Sequence, residues 1–240
     1  MTAKRGQHGC RTVAGFSLRE LLVVVGIIAI LITLVAGYVS MNWKMARRVN
    51  CMSNMRQVTA GFFQYVADND GYMPQCDGNV IKLGLGTGNG LVDLPYLDQY
   101  IGDPRVFHCP EDLRTDARTY AINDYLGGQY LAITHQMLLQ RVANAPSTML
   151  LIEEQAPITR NSYLGGFVVL PAPITRWADT PAVLHDKGTC LAFADGHVEY
   201  WHWDDPRTLN LPTTPFPNTP ANPDLVKLQQ VAGSKSSTTN

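Results

Sequence analysis

A long uncharged apolar run near the N-terminus constrains the fold of this chain more than any other feature. Residues 21–39 carry no charged side chain and consist mainly of Leu, Ile and Val with interspersed Gly and Ala. As a helix that rises about 1.5 Å per residue, the run covers roughly 28 Å, close to a hydrocarbon thickness of about 30 Å. An apolar run of this length predicts a membrane-spanning helix rather than the core helix of a soluble protein.

The residues before the run carry a recognisable signal. Gly15, Phe16, Ser17 and Leu18 are followed, after one intervening residue, by Glu20, the only acid beside the apolar helix. An ionised carboxylate at this position is expensive in a membrane and is therefore a functional candidate. The whole pattern resembles the class III signal peptide of type IV prepilins, in which a basic leader precedes Gly, Phe, a hydroxyl residue, Leu, any residue and Glu.

This resemblance implies how the chain is processed. A prepilin peptidase would cut between Gly15 and Phe16, and the new amine of Phe16 would be methylated. Glu20 would then pair with the N-terminal ammonium of a neighbouring subunit, which compensates both charges inside an apolar bundle. Arg19 departs from the family pattern, where an apolar residue is commoner before the acid.

Compartment and orientation follow from the same signal. The leader carries three basic residues and no acid, which favours a cytoplasmic N-terminus, although Lys44, Arg47 and Arg48 follow the helix and weaken the charge rule. An ordinary secretory signal competes, but the small-x-small cleavage pattern after the run is poor. The resemblance implies a single-pass protein of the bacterial inner membrane with a periplasmic or extracellular C-terminal domain.

Composition sets the domain organisation. With 240 residues, 45% hydrophobic and 16% charged, the chain has room for one membrane helix and one globular domain. The expected segments are a leader at 1–15, a transmembrane helix at 16–39, an exported helical half at 40–70, an α+β domain at 71–205 and a disordered, Pro- and Thr-rich tail at 206–240. A net charge of −1 without a basic block predicts no nucleic-acid partner.

The expected fold is α+β, with a long N-terminal helical spine packed on a small antiparallel sheet, as in pilins. Beyond the membrane the helix should continue to a stop at Gly71, with a stripe of apolar and small side chains at three- and four-residue steps. The stripe comprises Val49, Met52, Met55, Thr59, Phe62, Phe63 and Val66. Apolar segments at 148–153 and 166–170 predict buried strands.

A hairpin is the strongest strand signal. Segments 189–194 and 197–203 flank Asp195-Gly196, which predicts a two-residue type I′ turn. Alternation along the second strand should place Trp201 and Trp203 on one face and Tyr200 on the other.

His185 precedes Asp195-Gly196 by nine intervening residues. This spacing resembles the H-x9-D-G signature of a processing-associated domain found on prepilin-like proteins. A catalytic His185–Asp195 pair is one interpretation, but no nucleophile accompanies it, and Asp195 has a sufficient role as a turn residue. No enzymatic activity is predicted.

Four cysteines, Cys51, Cys76, Cys109 and Cys190, lie in the exported part of the chain. Four cysteines in an oxidising compartment permit two disulfides in three connectivities, and the sequence does not choose among them. Because the chain has no Cys-x-x-Cys pair, neither a metal site nor a cofactor is predicted. Asp68-Asn69-Asp70-Gly71 lacks most of the ligands of a calcium loop.

Two functions remain open. The first is a structural pilin or pseudopilin subunit of a type IV pilus or type II secretion-like filament, with a prepilin peptidase and N-methyltransferase, related subunits and the inner membrane as partners. The second is a membrane-anchored surface binding module that does not assemble and presents Tyr200, Trp201 and Trp203 as an aromatic platform.

Overall fold

The structure is a computed structural model that divides into two compact units, Met1–Trp43 and Lys44–Asn240. It describes residues 17–74, 97, 99–113, 119–126, 139–142, 144–155, 166–212 and 217–233. The leader with Gly15 and Phe16, the cysteine at position 76 and the glycine-rich segment 84–90 lie outside the described residues.

Helix α1 runs from Leu18 to Asp68. Its first part, Leu18–Ala36, is long and apolar enough to span a membrane, and none of this stretch is buried in the protein. Length and composition alone support this conclusion, since a signal sequence near an N-terminus meets the same criteria.

The start of α1 is a reciprocal cap between Ser17 and Glu20. The Glu20 backbone N–H donates to Ser17 Oγ over 3.2 Å, and the Ser17 N–H and hydroxyl donate to Glu20 Oε2 over 2.9 and 2.8 Å. This is the capping-box arrangement, which satisfies backbone donors that the first helical turn leaves free.

The second part of α1 presents one face to a hydrophobic core, in which Met55, Phe62 and Val66 are buried. Val49 is 53% exposed, so the predicted stripe begins later than expected, at Cys51. The helix ends at Asp68, where the N–H of Gly71, at a φ of 83°, donates to the Val66 carbonyl as in a glycine-terminated helix.

A five-stranded sheet forms the centre of the second unit. Its strands are β1 (Tyr120–Asn123), β2 (Met149–Glu153), β3 (Gly166–Phe167), β4 (Gly188–Phe193) and β5 (Val198–His202), in the spatial order β3-β1-β2-β4-β5. The prediction of an antiparallel sheet is wrong at one edge, because β3 runs parallel to β1. After β2, the chain crosses to the far side of β1, a connection longer than a hairpin, and this permits the parallel direction.

Both faces of the sheet are covered, so two cores exist. Alternate residues of β4 separate accordingly: Cys190 and Ala192 face the core of α1, while Leu191 and Phe193 face a second core on the opposite side. The same division places Trp201 and Trp203 in the second core and packs Tyr200 against the first, as the alternation predicts. Strands covered on both faces explain why β2 reads as an uninterrupted apolar run up to Glu153.

The second core is closed by a segment that the sequence analysis expects to be disordered. Helices α2 (Pro206–Leu209) and α3 (Pro223–Val231) lie within it, and Leu225 and Leu228 of α3 are buried. Asn222 caps α3 by accepting the Leu225 N–H. The expectation fails because a few apolar residues at helical spacing, invisible in the average composition, suffice to cover one sheet face.

The turn between β4 and β5 also differs from the prediction. The Gly196 N–H donates to the Phe193 carbonyl and the Phe193 N–H donates to the His197 carbonyl, so the loop has three residues rather than two. Within it, only Gly196 has a positive φ, of 97°, whereas a type I′ turn would need a second at Asp195.

Replacement of Leu228 by Ala tests whether α3 contributes to the folded core. We expect Leu228→Ala to lower the free energy of unfolding by about 2 to 5 kcal/mol, since it leaves a cavity under the sheet. Val226, on the same helix, is 49% exposed, so Val226→Ala is the matched control and should have a small effect. Urea unfolding followed by tryptophan fluorescence measures both, and equal effects would contradict the placement of α3.

Candidate functional site at His185

A left-handed turn places His185 beside the sheet. His185, Asp186 and Lys187 have φ values of 39°, 57° and 65°, and the Gly188 N–H closes the turn on the Leu184 carbonyl. Non-glycine residues adopt this region at an energetic cost, so three in succession persist only where the surroundings fix them. Gly188 has no substitute, because a Cβ there would lie 2.3 Å from the Trp201 carbonyl oxygen.

His185 is 3% exposed and lies between two carboxylates and a sulfur. Its Nε2 is 3.0 Å from Glu153 Oε1 and 3.2 Å from Cys109 Sγ, and its Nδ1 is 2.7 Å from Glu111 Oε2. The same Glu111 oxygen accepts the backbone N–H of His185 over 2.8 Å. Nε2 and the backbone N–H of His185 thus have hydrogen-bond partners, whereas Nδ1 is in close charged contact with Glu111 without the alignment of a hydrogen bond.

Glu153 is fixed by the adjacent strand. Its Oε2 accepts the Cys190 N–H over 2.7 Å and lies 3.4 Å from the Thr189 hydroxyl, which leaves Oε1 for His185. Glu153 is fully buried at the end of β2. A buried carboxylate is tolerated only with such partners, so its position is set by both β4 and the turn.

The sulfur belongs to a disulfide between Cys51 and Cys109. It joins the second part of α1 to the loop after a 3-10 turn, Pro104–Phe107, across 58 positions of sequence. Because closure of a loop of that length lowers the conformational entropy of the unfolded chain, it raises the free energy of unfolding by about 4 kcal/mol in the chain-entropy account. Nearby, Asn54 donates to the His108 carbonyl over 3.2 Å, a second link between the same two segments.

Burial and charge set the protonation states here. Burial lowers the pKa of His185, but the carboxylates of Glu153 and Glu111 raise it more, so its pKa lies above the usual value. Burial, assisted by Glu153, raises the pKa of the free Cys190 thiol well above its usual range. Cys190 therefore stays a neutral thiol and is a poor nucleophile.

The disulfide and two other side chains bring four potential metal ligands together. Cys51, Cys109, Glu153 and His185 each offer one ligand atom, and these atoms lie within 4.8 Å of one another. In the disulfide form both sulfurs are bonded to each other, so two members of this set are occupied. What remains is a buried His185 between Glu153 and Glu111.

The H-x9-D-G residues do not form a catalytic pair. His185 contacts the buried groups at one end of β4, whereas Asp195 lies in the turn at the other end and accepts the His197 N–H. Gly196 packs against α1, since a Cβ there would lie 2.9 Å from the Phe63 ring. The nine-residue spacing therefore corresponds to β4 and its flanking turns.

The aromatic platform of the second hypothesis is absent from these residues. Trp201 is 7% exposed and Trp203 1%, and both pack in the second core. Tyr200 is half-buried and donates its hydroxyl to the Asp186 carbonyl over 2.9 Å. The three side chains thus stabilise the fold and the His185 turn.

The sequence singles out His185, Cys51 and Cys109 separately but does not predict that they lie together. It does not single out Glu111 or Glu153. Apart from Cys109 and Glu111, which are two positions apart, these residues are separated by dozens of positions, and no spacing rule connects them. One signal was available: Glu153 ends an otherwise apolar strand, and a charge in a strand covered on both faces needs a partner.

No family model matches the chain, and neither a curated protein nor a solved structure shows significant similarity to it.

The raised pKa of His185 predicts how stability varies with pH. Between the unfolded value near 6.5 and the higher folded value, the folded state binds more protons than the unfolded state, so the stabilisation that His185 contributes is fully present below about pH 6.5 and is lost as the pH rises through the folded pKa. Urea unfolding of the oxidised, chelator-treated protein at a series of pH values measures this slope. His185→Gln should remove it, and an unchanged slope in that variant would contradict the assignment.

Proposed function

We propose that this chain is a structural, non-enzymatic subunit of a type IV pilus or type II secretion-like filament, matured by a prepilin peptidase and N-methyltransferase at the bacterial inner membrane. The observation that carries the proposal is α1, a single helix whose first part is apolar and exposed and whose second part packs in a globular core. The signal from Gly15 to Glu20 adds the maturation chemistry.

The exposed apolar part of α1 needs an apolar environment. Large side chains such as Leu22, Ile30 and Leu34 are each more than 60% exposed, an amount of apolar surface that a soluble monomer does not maintain. A lipid bilayer covers it before assembly, and the same helices of neighbouring subunits cover it in a filament. Both environments demand the same composition, which is why the acid at position 20 is the discriminating residue.

Glu20 has both a local and an intermolecular use. Within one chain its Oε2 accepts from the Ser17 N–H and hydroxyl. An acceptor carboxylate has further lone pairs, so Glu20 can also accept from the Phe16 ammonium of a neighbouring subunit. Removal of the acid would leave that ammonium uncompensated in an apolar bundle.

Replacement of Gly15 tests maturation. A peptidase cleft that accepts only a residue without a side chain before the cut should reject Gly15→Leu, so this variant should keep its leader and an unmethylated Phe16. Mass spectrometry of membrane-extracted protein reads both features. Normal maturation of Gly15→Leu would remove the prepilin assignment.

Assembly is tested by self-crosslinking through Ile28→Cys, a position in the exposed part of α1. We expect Glu20→Gln to be cleaved normally but to lose most of the crosslinked dimer on membrane oxidation, since it lacks the charge that pairs with the Phe16 ammonium. Ser17→Ala is the matched control, because it removes the hydroxyl contact to Glu20 but keeps the acid, and it should crosslink as the parent does. Undiminished crosslinking of Glu20→Gln would contradict the pairing of Glu20 with the Phe16 ammonium, whereas absence of the crosslinked dimer in the parent would favour the anchored, non-assembling module.

A further inference from the structure

We propose that the dithiol form of Cys51 and Cys109 binds one Zn²⁺ together with His185 and Glu153. The proposal concerns the interior of the second unit and does not depend on filament assembly. In the oxidised protein the two cysteines of this cluster form a covalent link, and in the reduced protein they would be metal ligands.

Two pairs of donor atoms already have nearly the required spacing, and the two bonded sulfurs must move apart. Around tetrahedral zinc, an imidazole nitrogen and a thiolate lie about 3.5 Å apart and the nitrogen and a carboxylate oxygen about 3.3 Å apart. In the structure, His185 Nε2 is 3.2 Å from Cys109 Sγ and 3.0 Å from Glu153 Oε1. Reduction frees the two sulfurs to separate, and a metal ion can then occupy the space between the four atoms.

Neighbouring polar groups orient these donor atoms, as outer groups orient the ligands in known kinds of zinc site. Ligating histidines commonly face a carboxylate with their second nitrogen, which fixes the tautomer. Here Nδ1 of His185 lies 2.7 Å from Glu111 Oε2, a charged contact without hydrogen-bond alignment, and it favours a proton on Nδ1, which leaves the Nε2 lone pair toward the cluster. The Oε2 atom of Glu153 is held by the Cys190 N–H, which directs Oε1 inward.

The chemistry of the donors selects the metal. Two thiolates, an imidazole and one carboxylate suit Zn²⁺, whereas Mg²⁺ and Ca²⁺ require oxygen ligands. All four residues are buried, so the site is closed, with no position left for substrate, as in structural zinc centres. The ion would link α1 to the loop at 108–112 and to both β2 and the turn before β4.

The reaction balances with a phosphine as reductant. The phosphine takes an oxygen atom from water to give the phosphine oxide, and the two hydrogens of that water reduce the disulfide to two thiols. Zn²⁺ then displaces one proton from each thiol and, where His185 is an imidazolium, the proton on its Nε2, and all of these protons pass to solvent. With His185 neutral and Glu153 ionised, the bound centre carries one net negative charge.

The test uses the full chain in detergent with Cys10, Cys76 and Cys190 replaced by Ala, so that only two thiols remain. After phosphine reduction, a thiol count of two, incubation with Zn²⁺ and gel filtration, elemental analysis should find about one zinc per chain, and the oxidised sample almost none. Co²⁺ in place of zinc should give the intense visible bands of a tetrahedral ion and thiolate charge-transfer bands.

Variants separate the ligands from their neighbours. Cys109→Ser and His185→Gln should lose the cobalt charge-transfer signal or weaken zinc binding at least tenfold, and Glu111→Gln should weaken it about 10- to 100-fold as a positioning residue. Glu154→Gln is the matched control, since Glu154 is a neighbouring buried acid outside the cluster, and it should bind as the parent does.

Several results would overturn the site. Reduced chain with two free thiols and native circular dichroism but no zinc would do so, as would equal zinc retention by the oxidised sample or by Cys109→Ser. If reduction alone unfolds the protein, zinc should restore the circular dichroism, and failure to restore it also rejects the proposal.

Discussion

The architecture of the second unit depends on covering both faces of a five-stranded sheet. The second part of α1 covers one face and α3 covers the other, and β4, which is buried along its whole length, contributes side chains to both cores. Since each face must be shielded from water, neither helix is dispensable, although they lie at opposite ends of the chain. The polar residue Asn123 reflects this closure, because its Nδ2 donates to the carbonyls of Met149 in β2 and Ala232 after α3.

Because the strands are buried on both faces, charged residues at the strand ends need compensating partners, and the His185 cluster supplies them for Glu153. Glu153 would be strongly disfavoured there alone, and His185 and the backbone of β4 provide its compensation. The disulfide connects this cluster to α1, since Cys109 contacts the imidazole of His185 and Cys51 belongs to α1. Packing, charge compensation and covalent linkage thus converge on one small region.

The sequence predicted what depends on local pattern. The long helix α1, a strand predicted at 148–153 and found at 149–153, the pairing of β4 with β5 and the faces of Trp201 and Trp203 follow from periodicity and glycine placement. What it missed depends on contacts between distant segments. The parallel pairing of β3 and the meeting of Glu111 with His185 are decided by tertiary packing, and the order of α3 depends on a sheet face that its few apolar residues cover, which the average composition of the segment does not reveal. The aromatic platform failed for the same reason, since alternation says which side chains share a face but not whether that face is covered.

The turn at Asp195-Gly196 and the turn at His185 are held in different places, one against Phe63 of α1 and one against Glu153 of β2. Strand β4 is therefore held at both ends, and its length sets the distance between the two turns. Because side chains in a strand change face at every residue, insertion or loss of a single residue in β4 would exchange the faces of every residue on one side of the change. The nine-residue spacing of the motif therefore determines which side chains of β4 face each core as well as how long the strand is.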